Sequence, residues 1–311
     1  MKIEWRNHSL LGKDAGGAAP VVIDTGSDPR DLRFRPADPA KAKVLSGEQV
    51  ARFNDEGLLG GLRVFEPGEL AAIDAYIDDL VRKVDEAPDR RNAYSIINYH
   101  VVCRGLYDLT QTPVILDYVE DILGPDFVCW NTHLFAKSPY DPKEVPFHQD
   151  SVYWPLSPSN TVTVWLALDD VDEGNAAVQY VPGSHLPGPM EHRQRELDGT
   201  RTLGREVAEM NGDQPTRMNT LSAGEVSIHA DLLLHGSAAN TSPRRRAALA
   251  IRYAATDIRP IEGAEWYLST TVPARGVVPE HLSLRRRPTS EHPELMSKVW
   301  GDFDGNAYTE D

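Results

Sequence analysis

Residues 161–168, Thr-Val-Thr-Val-Trp-Leu-Ala-Leu, decide the fold class of this chain. Successive side chains of an extended strand point to opposite faces. Thr161, Thr163, Trp165 and Ala167 therefore share one face, and Val162, Val164, Leu166 and Leu168 share the other, which suits packing against helices. Four further runs read as strands: 127–137 (FVCWNTHLFAK), 176–183 (AAVQYVPG), 224–237 (GEVSIHADLLLHGS) and 244–256 (RRRAALAIRYAAT). Turn-forming clusters separate them, at Pro139-Tyr140-Asp141-Pro142, Asp172-Glu173-Gly174-Asn175, Pro182-Gly183-Ser184 and Asn240-Thr241-Ser242-Pro243. Many short strands spaced in this way predict a double-layered jelly roll.

Upstream the period changes. Ser46 is a good N-cap for a helix over 47–59. Leu70, Ile73, Ile77, Leu80 and Val84 recur at three- and four-residue steps and predict a helix over 67–87. A third fits 112–124, closed by Gly124. The first third thus reads as largely helical. Helices first and strands later imply an α+β, mainly β chain: a double-stranded β-helix (jelly roll, cupin-like) with its N-terminal helices packed on one sheet. Residues 1–44, rich in Gly, Pro, Asp and Arg, read as an irregular arm. Residues 45–311 read as one domain, with its core at 45–257 and loops plus a last short helix over 258–311.

The bulk numbers exclude several classes. The 311 residues carry a net charge of −15, a pI of about 5.1 and a mean hydropathy of −0.42. Such an acidic balance argues against nucleic acid or an anionic membrane as the main partner. No stretch approaches the ~20 apolar residues of a membrane span, and the N-terminus lacks the apolar run of a signal peptide. Cys103 and Cys129 are too few for a disulfide framework and read as buried thiols of a reducing cytoplasm. The expectation is a cytoplasmic monomer or homodimer acting on a small molecule.

The chemistry begins at Phe147-His148-Gln149-Asp150. Two residues apart on an extended chain, His148 and Asp150 converge on one point. An imidazole and a carboxylate so placed make two-thirds of the two-histidine, one-carboxylate face that binds non-haem iron(II). Alone, His-x-Asp is a weak signal. The third ligand must come from elsewhere, and 224–253 offers His229 and His235. His229-Ala230-Asp231 is a second His-x-Asp, read as strand residues with local hydrogen bonds. His235 is better supported: Gly236, Ser237, a Ser-Pro turn and Arg246, eleven residues on, read as two strands that bring an arginine beside the metal histidine. A guanidinium is the natural bidentate partner of a distal carboxylate.

These segments together resemble the phytanoyl-CoA dioxygenase family of iron(II)/2-oxoglutarate oxygenases. The resemblance rests on 45–59 (LSGEQVARFNDEGLL), 147–156 (FHQDSVYWPL), 162–185 (VTVWLALDDVDEGNAAVQYVPGSH) and 232–253 (LLLHGSAANTSPRRRAALAIRY), in that order, and covers roughly residues 45–255. It implies the double-stranded β-helix, with His148, Asp150 and His235 as iron ligands. It further implies Arg246 on the far carboxylate of 2-oxoglutarate, Ser237 sharing that carboxylate and Trp165 as an aromatic against the co-substrate. The reaction implied consumes dioxygen and 2-oxoglutarate and hydroxylates an unactivated C–H bond. The same site in relatives serves desaturation, epoxidation, cyclisation or epimerisation. Because Asp150 occupies the carboxylate position, halogenation is not expected. Rival readings are a silent jelly-roll binding protein, which the intact trio with Arg246 and Ser237 opposes, and a cupin-like hydrolase or isomerase, which leaves the spacing to Arg246 unexplained.

Substrate contacts are assigned to Asn98 and His100, in a polar loop (INYHVVCRG) expected to cover the site's mouth, and to Lys137 and Arg252. Arg246, Ala248, Ala250 and Arg252 share a strand face whose alanines leave room for a ligand. For Arg252 a salt bridge to a nearby acid is the competing reading. His133, Asn131 and Phe135 share parity with Lys137. Tyr153 and Trp154 read equally as core or as substrate wall, His185 as a turn residue, and Arg244 and Arg245 as solvated charges.

Overall fold

A computed structural model describes residues 30–87, 95–158, 160–194, 203–210 and 215–296. The expected arm up to residue 29 and the tail from 297 lie outside the described residues.

Helix α1 (Gly47–Glu56) begins where its cap requires. The Gln49 N–H donates to the Ser46 hydroxyl at 3.1 Å, and the Ser46 N–H donates to the Gln49 side chain at 2.8 Å, so two orphan donors of the first turn are satisfied reciprocally. The helix stops at Gly57, whose φ of 75° is open to glycine and costly for other residues. Beyond it the helical expectation fails: Leu58–Arg63 is strand β1. Helices α2 (Pro67–Asp85) and α4 (Pro113–Leu123) fall where their periodicity puts them, each with proline in its first turn. Between them lie β2 (Ser95–Ile97) and α3 (Arg104–Thr110), both too short to announce themselves.

The larger sheet is antiparallel and runs β1–β10 (Glu225–Ala230)–β5 (Thr161–Ala167)–β12 (Arg246–Ala255)–β3 (Phe127–Lys137)–β13 (Val272–Arg275), with β2 also pairing with β3. The second sheet runs β4 (Val145–His148)–β11 (His235–Ser237)–β6 (Gln179–Tyr180)–β9 (Arg217–Met218). A separate hairpin joins β7 (His192–Gln194) to β8 (Arg205–Val207).

Strand parity sorts the two faces of the larger sheet as the alternation predicts. Val162, Val164, Leu166, Leu249 and Ile251 pack in one cluster with Phe53, Ile77, Leu106, Ile115 and Val119 of the helices. Each such aliphatic, fully buried, contributes about 1.5–3 kcal/mol. Trp165, Ala167, Ala248 and Ala250 form a second cluster, with Val178 and Tyr180 on the side of the smaller sheet. The lumen lies there, lined by small residues of β12.

The described part of the arm is irregular apart from a 3-10 turn at Pro39–Lys41, yet it is pinned down. The Asp121 carboxylate accepts the N–H groups of Lys43, Val44 and Leu45 at 2.8, 2.8 and 2.7 Å, supplying bonds that no secondary structure offers there. Arg30 is buried and donates to the Ser151 carbonyl at 3.0 Å and to the Trp154 carbonyl. The last helix expected near the C-terminus is a short 3-10 turn, Pro293–Leu295, in its described part. The Pro182–His185 segment closes α1: Gly183 N–H donates to the Glu56 carbonyl at 3.0 Å, and His185 Nε2 to the Asn54 carbonyl at 3.0 Å. These partners satisfy carbonyls the helix end leaves open.

Candidate metal centre

Strands β4 and β11 are antiparallel neighbours whose register sets His148 opposite His235, ring centroids 4.2 Å apart. Both rings are fixed by one device. His148 Nδ1 donates to the Pro146 carbonyl and His235 Nδ1 to the Leu233 carbonyl, each at 2.8 Å and each two residues back. A proton held on Nδ1 leaves Nε2 with its lone pair, the form in which histidine binds metal.

Asp150 arrives differently from the continuous strand expected. β4 ends at His148, and Asp150 opens a 3-10 turn, Asp150–Tyr153. The two-residue spacing still works because Gln149, at φ −104° and ψ 133°, keeps extended geometry. Its own side chain leaves the other way, donating to Leu232 O at 2.7 Å and Gly188 O at 3.1 Å and accepting from Met190 N–H at 2.7 Å. One donor atom from each of His148, Asp150 and His235 then lies within 4.8 Å of the others, all three residues buried.

The charge states suit a metal. Burial raises the Asp150 carboxyl, but the Arg252 guanidinium and the two histidines outweigh it and hold it well below the usual range. Burial, aided by His148, pushes His235 down to about 4. A charged carboxylate beside a neutral imidazole is what coordination requires.

A second pole lies in the same lumen. Lys137 and Arg246 are cross-strand partners on β3 and β12, both buried, and neither makes an ion pair with a described acid. Like charges directly opposite each other repel, and burial makes each costlier. Burial and then Arg246 push Lys137 down to about 7, and burial pushes Arg246 down to about 10. Lys137 Nζ donates to Ser237 Oγ at 3.1 Å and to the Ala238 carbonyl; Arg246 donates to the Ala176 carbonyl at 3.1 Å. Ser237 Oγ also donates to Ala176 O at 2.9 Å, and Ala176 holds a φ of 66° to present that oxygen. The Arg246 guanidinium lies 5.5 Å from the Trp165 ring. The geometry thus gathers Arg246, Ser237, Trp165 and Lys137 around a place suited to an anion.

His229, expected as a strand residue with local hydrogen bonds, is one, and it also lies against the trio. It sits buried on β10 with its ring 5.0 Å from that of His235, Nδ1 3.0 Å from the Tyr180 hydroxyl and Nε2 4.0 Å from Asp150 Oδ2. Register brings it there: His229 pairs with Thr163, whose hydroxyl donates to Asp150 Oδ2 at 3.4 Å.

The polar segment expected at the mouth is instead β2 and a 3-10 turn laid against β3, with Asn98 and His100 both buried. His100 spends both ring nitrogens internally, on Thr132 Oγ1 at 2.8 Å and the Thr270 carbonyl at 2.9 Å. Asn98 Oδ1 accepts from Asn131 Nδ2 at 2.8 Å, and Asn131 Oδ1 accepts from Arg252 at 2.6 Å. Arg252 reaches the trio, its Nε 3.7 Å from Asp150 Oδ2. Arg244 and Arg245 are not simply solvated: Arg244 pairs with Asp172 at 2.7 Å, while Arg245 pairs with Asp169 at 2.9 Å and with Asp78 of α2.

Comparison with known proteins agrees with this arrangement. The family model for phytanoyl-CoA dioxygenase matches residues 53–248. The chain is 27% identical over 190 residues to the peroxisomal phytanoyl-CoA dioxygenase of Rattus norvegicus, covering 59% of this chain and 56% of that protein. It is 31% identical over 175 residues to a probable alpha-ketoglutarate-dependent hypophosphite dioxygenase of Stutzerimonas stutzeri, covering 55% and 60%. The chain thus spans little more than half the length of these relatives. Among solved structures, the apo form of the non-heme monooxygenase ThoJ superposes with a TM-score of 0.69 at 26% identity, covering 80% of this chain and 92% of that one. Among the described residues no helix is long and apolar enough to cross a membrane.

Proposed function

The chain belongs to the phytanoyl-CoA dioxygenase family, and from that membership we propose that it is an iron(II)- and 2-oxoglutarate-dependent dioxygenase that hydroxylates an unactivated C–H bond of a small molecule. His148, Asp150 and His235 would hold the iron through two imidazole nitrogens and one carboxylate oxygen, the donor set suited to non-haem iron(II). When bound, the iron and 2-oxoglutarate activate dioxygen, one oxygen atom going to succinate as carbon dioxide leaves and the other to the substrate carbon.

The protein's part is orientation and charge. The Pro146 and Leu233 carbonyls hold the two rings, and Thr163 holds the second carboxylate oxygen. Arg246, with Lys137 and Ser237, would take the distal carboxylate of 2-oxoglutarate, and Trp165 would flank its chain. The observation that carries the proposal is this pairing: a buried metal-ligand trio and two buried cations that have no ion-pair partner among the described residues, in one lumen. A five-carbon dicarboxylate with a 2-oxo acid end satisfies both. Cys103 and Cys129, buried and unpaired, support placement in a reducing cytoplasm. Incubating the protein with iron(II), 2-oxoglutarate and air tests the proposal. Succinate forms only when iron is present, and absence of iron-dependent succinate refutes it.

A further inference from the structure

Arg252 is a buried cation whose ion pair, to Asp150, is with a residue that the proposed reaction gives to the metal. It lies on the lumenal face of β12, level with Asn131 of β3 and Thr163 of β5, at 9% exposure. Its nearest acid is Asp150, but Nε stands 3.7 Å from Oδ2, beyond a normal N–H···O bond, and Nε has no hydrogen-bond partner. The guanidinium is held from the side by a neutral amide, Asn131 Oδ1 at 2.6 Å, itself held by Asn98. That chain positions the cation without neutralising it.

Once Asp150 serves a divalent metal, Arg252 has no other ion-pair partner among the described acids. An uncompensated buried charge is costly, and a structure that retains one has a use for an anion there. Two further arginines bond the carbonyls of the same 150–154 turn: Arg30 to Ser151 O at 3.0 Å and Arg205 to Val152 O at 3.4 Å. The distal carboxylate of the co-substrate belongs at the other pole, with Arg246 and Lys137. An apolar wall accompanies Arg252: its guanidinium lies 5.2 Å from the Trp154 ring, and Tyr153 sits edge-on to His148 at 5.6 Å.

We propose that Arg252 binds an oxyanion of the substrate beside the metal, so that the substrate is a small organic acid. The inference rests on the dioxygenase reading above. The test is anaerobic calorimetry on iron(II)-loaded protein saturated with 2-oxoglutarate, which keeps the Arg246 pole filled. The probes are linear, cyclic and aromatic carboxylic and phosphonic acids, each paired with its amide or neutral ester. In wild type at least one acid binds about ten- to hundred-fold tighter than its uncharged partner, as a charge-assisted bond to a buried guanidinium warrants. Arg252→Met brings that ratio to about one, and Arg252→Lys restores part of it. The ratio compares two ligands on one protein, so partial loss of folded material cancels. Whether carboxylate or phosphonate gives the larger ratio identifies the oxyanion. The inference is overturned if no acid in the panel outbinds its partner or if Arg252→Met keeps the preference, as it would if the co-substrate's own carboxylate occupied Arg252. Iron-dependent succinate formation by wild type, without substrate, is measured alongside. If it is absent the dioxygenase reading falls; if it is present without the acid preference, only this inference falls.

Discussion

Raising the pH from 7 to 9 weakens 2-oxoglutarate binding, and Lys137→Met removes most of that dependence. Burial and the facing Arg246 push the Lys137 ammonium down to about 7 in the ligand-free protein. A dicarboxylate seated between the two side chains favours the charged amine and raises its pKa again. The sign follows. Below pH 7 the amine is already protonated and binding takes up no proton there. Above 7, binding must draw a proton from solution, so affinity falls by up to about tenfold per pH unit. Over two units the loss is at most ~100-fold, or about 2.7 kcal/mol. His235, at about 4, lies outside the window, whereas Asp231, which burial pushes up to about 8, lies within it. Comparison with Lys137→Met therefore isolates the lysine's share. Anaerobic calorimetry in buffers of different ionisation heat counts the protons directly: close to one taken up per ligand at pH 8–9 beyond what Lys137→Met takes up. A flat wild-type profile, or the same slope in the variant, refutes the reasoning.

Arg246→Ala leaves Lys137 as the cation of that pole. Losing one partner of a buried charged pair costs about 2–5 kcal/mol, so the KM for 2-oxoglutarate rises roughly thirty-fold or more, and an unchanged KM in the succinate assay removes Arg246 from the co-substrate site. Trp165→Ala empties the lumenal position beside Arg246 and lowers stability by about 3–5 kcal/mol in urea unfolding; a loss below 1 kcal/mol shows that the ring is not packed as described. Gly57→Ala forces a side chain into a φ of 75° and sets its Cβ 2.7 Å from His185 Nδ1. The backbone part costs about 1–2 kcal/mol, so combining it with His185→Ala recovers only the contact part, and full recovery contradicts the assignment of strain to the backbone.

What the sequence revealed and what it hid have physical reasons. The metal trio was legible because coordination restricts spacing: ligands two apart on extended backbone, and a third on an antiparallel neighbour. Parity in 161–168 and 246–252 separated the lumen from the helix-covered face, since a period of two leaves little choice. Strand β1 was hidden because Leu58-Leu59-Gly60-Gly61-Leu62-Arg63 carries no alternation; pairing with β10 imposes its extended state. Helix α3, with only seven residues, cannot show a period. Asn98 and His100 were expected at the mouth because the family resemblance puts such a segment there; in the structure Thr132 of β3 and the Thr270 carbonyl take up their polar atoms inside the protein. His229 reads as a strand residue because no arginine follows it at the spacing that Arg246 keeps from His235; its proximity to Asp150 comes from the register of β10 on β5, which composition does not encode.

The central claim is that His148, Asp150 and His235 form one metal site, and an anaerobic equilibrium titration with iron(II) tests it most directly. The expected result is one ion bound per wild-type chain and loss of that site in Asp150→Ala and in His235→Ala, each checked for native folding by circular dichroism. Wild-type stoichiometry and affinity retained in either folded variant would contradict it.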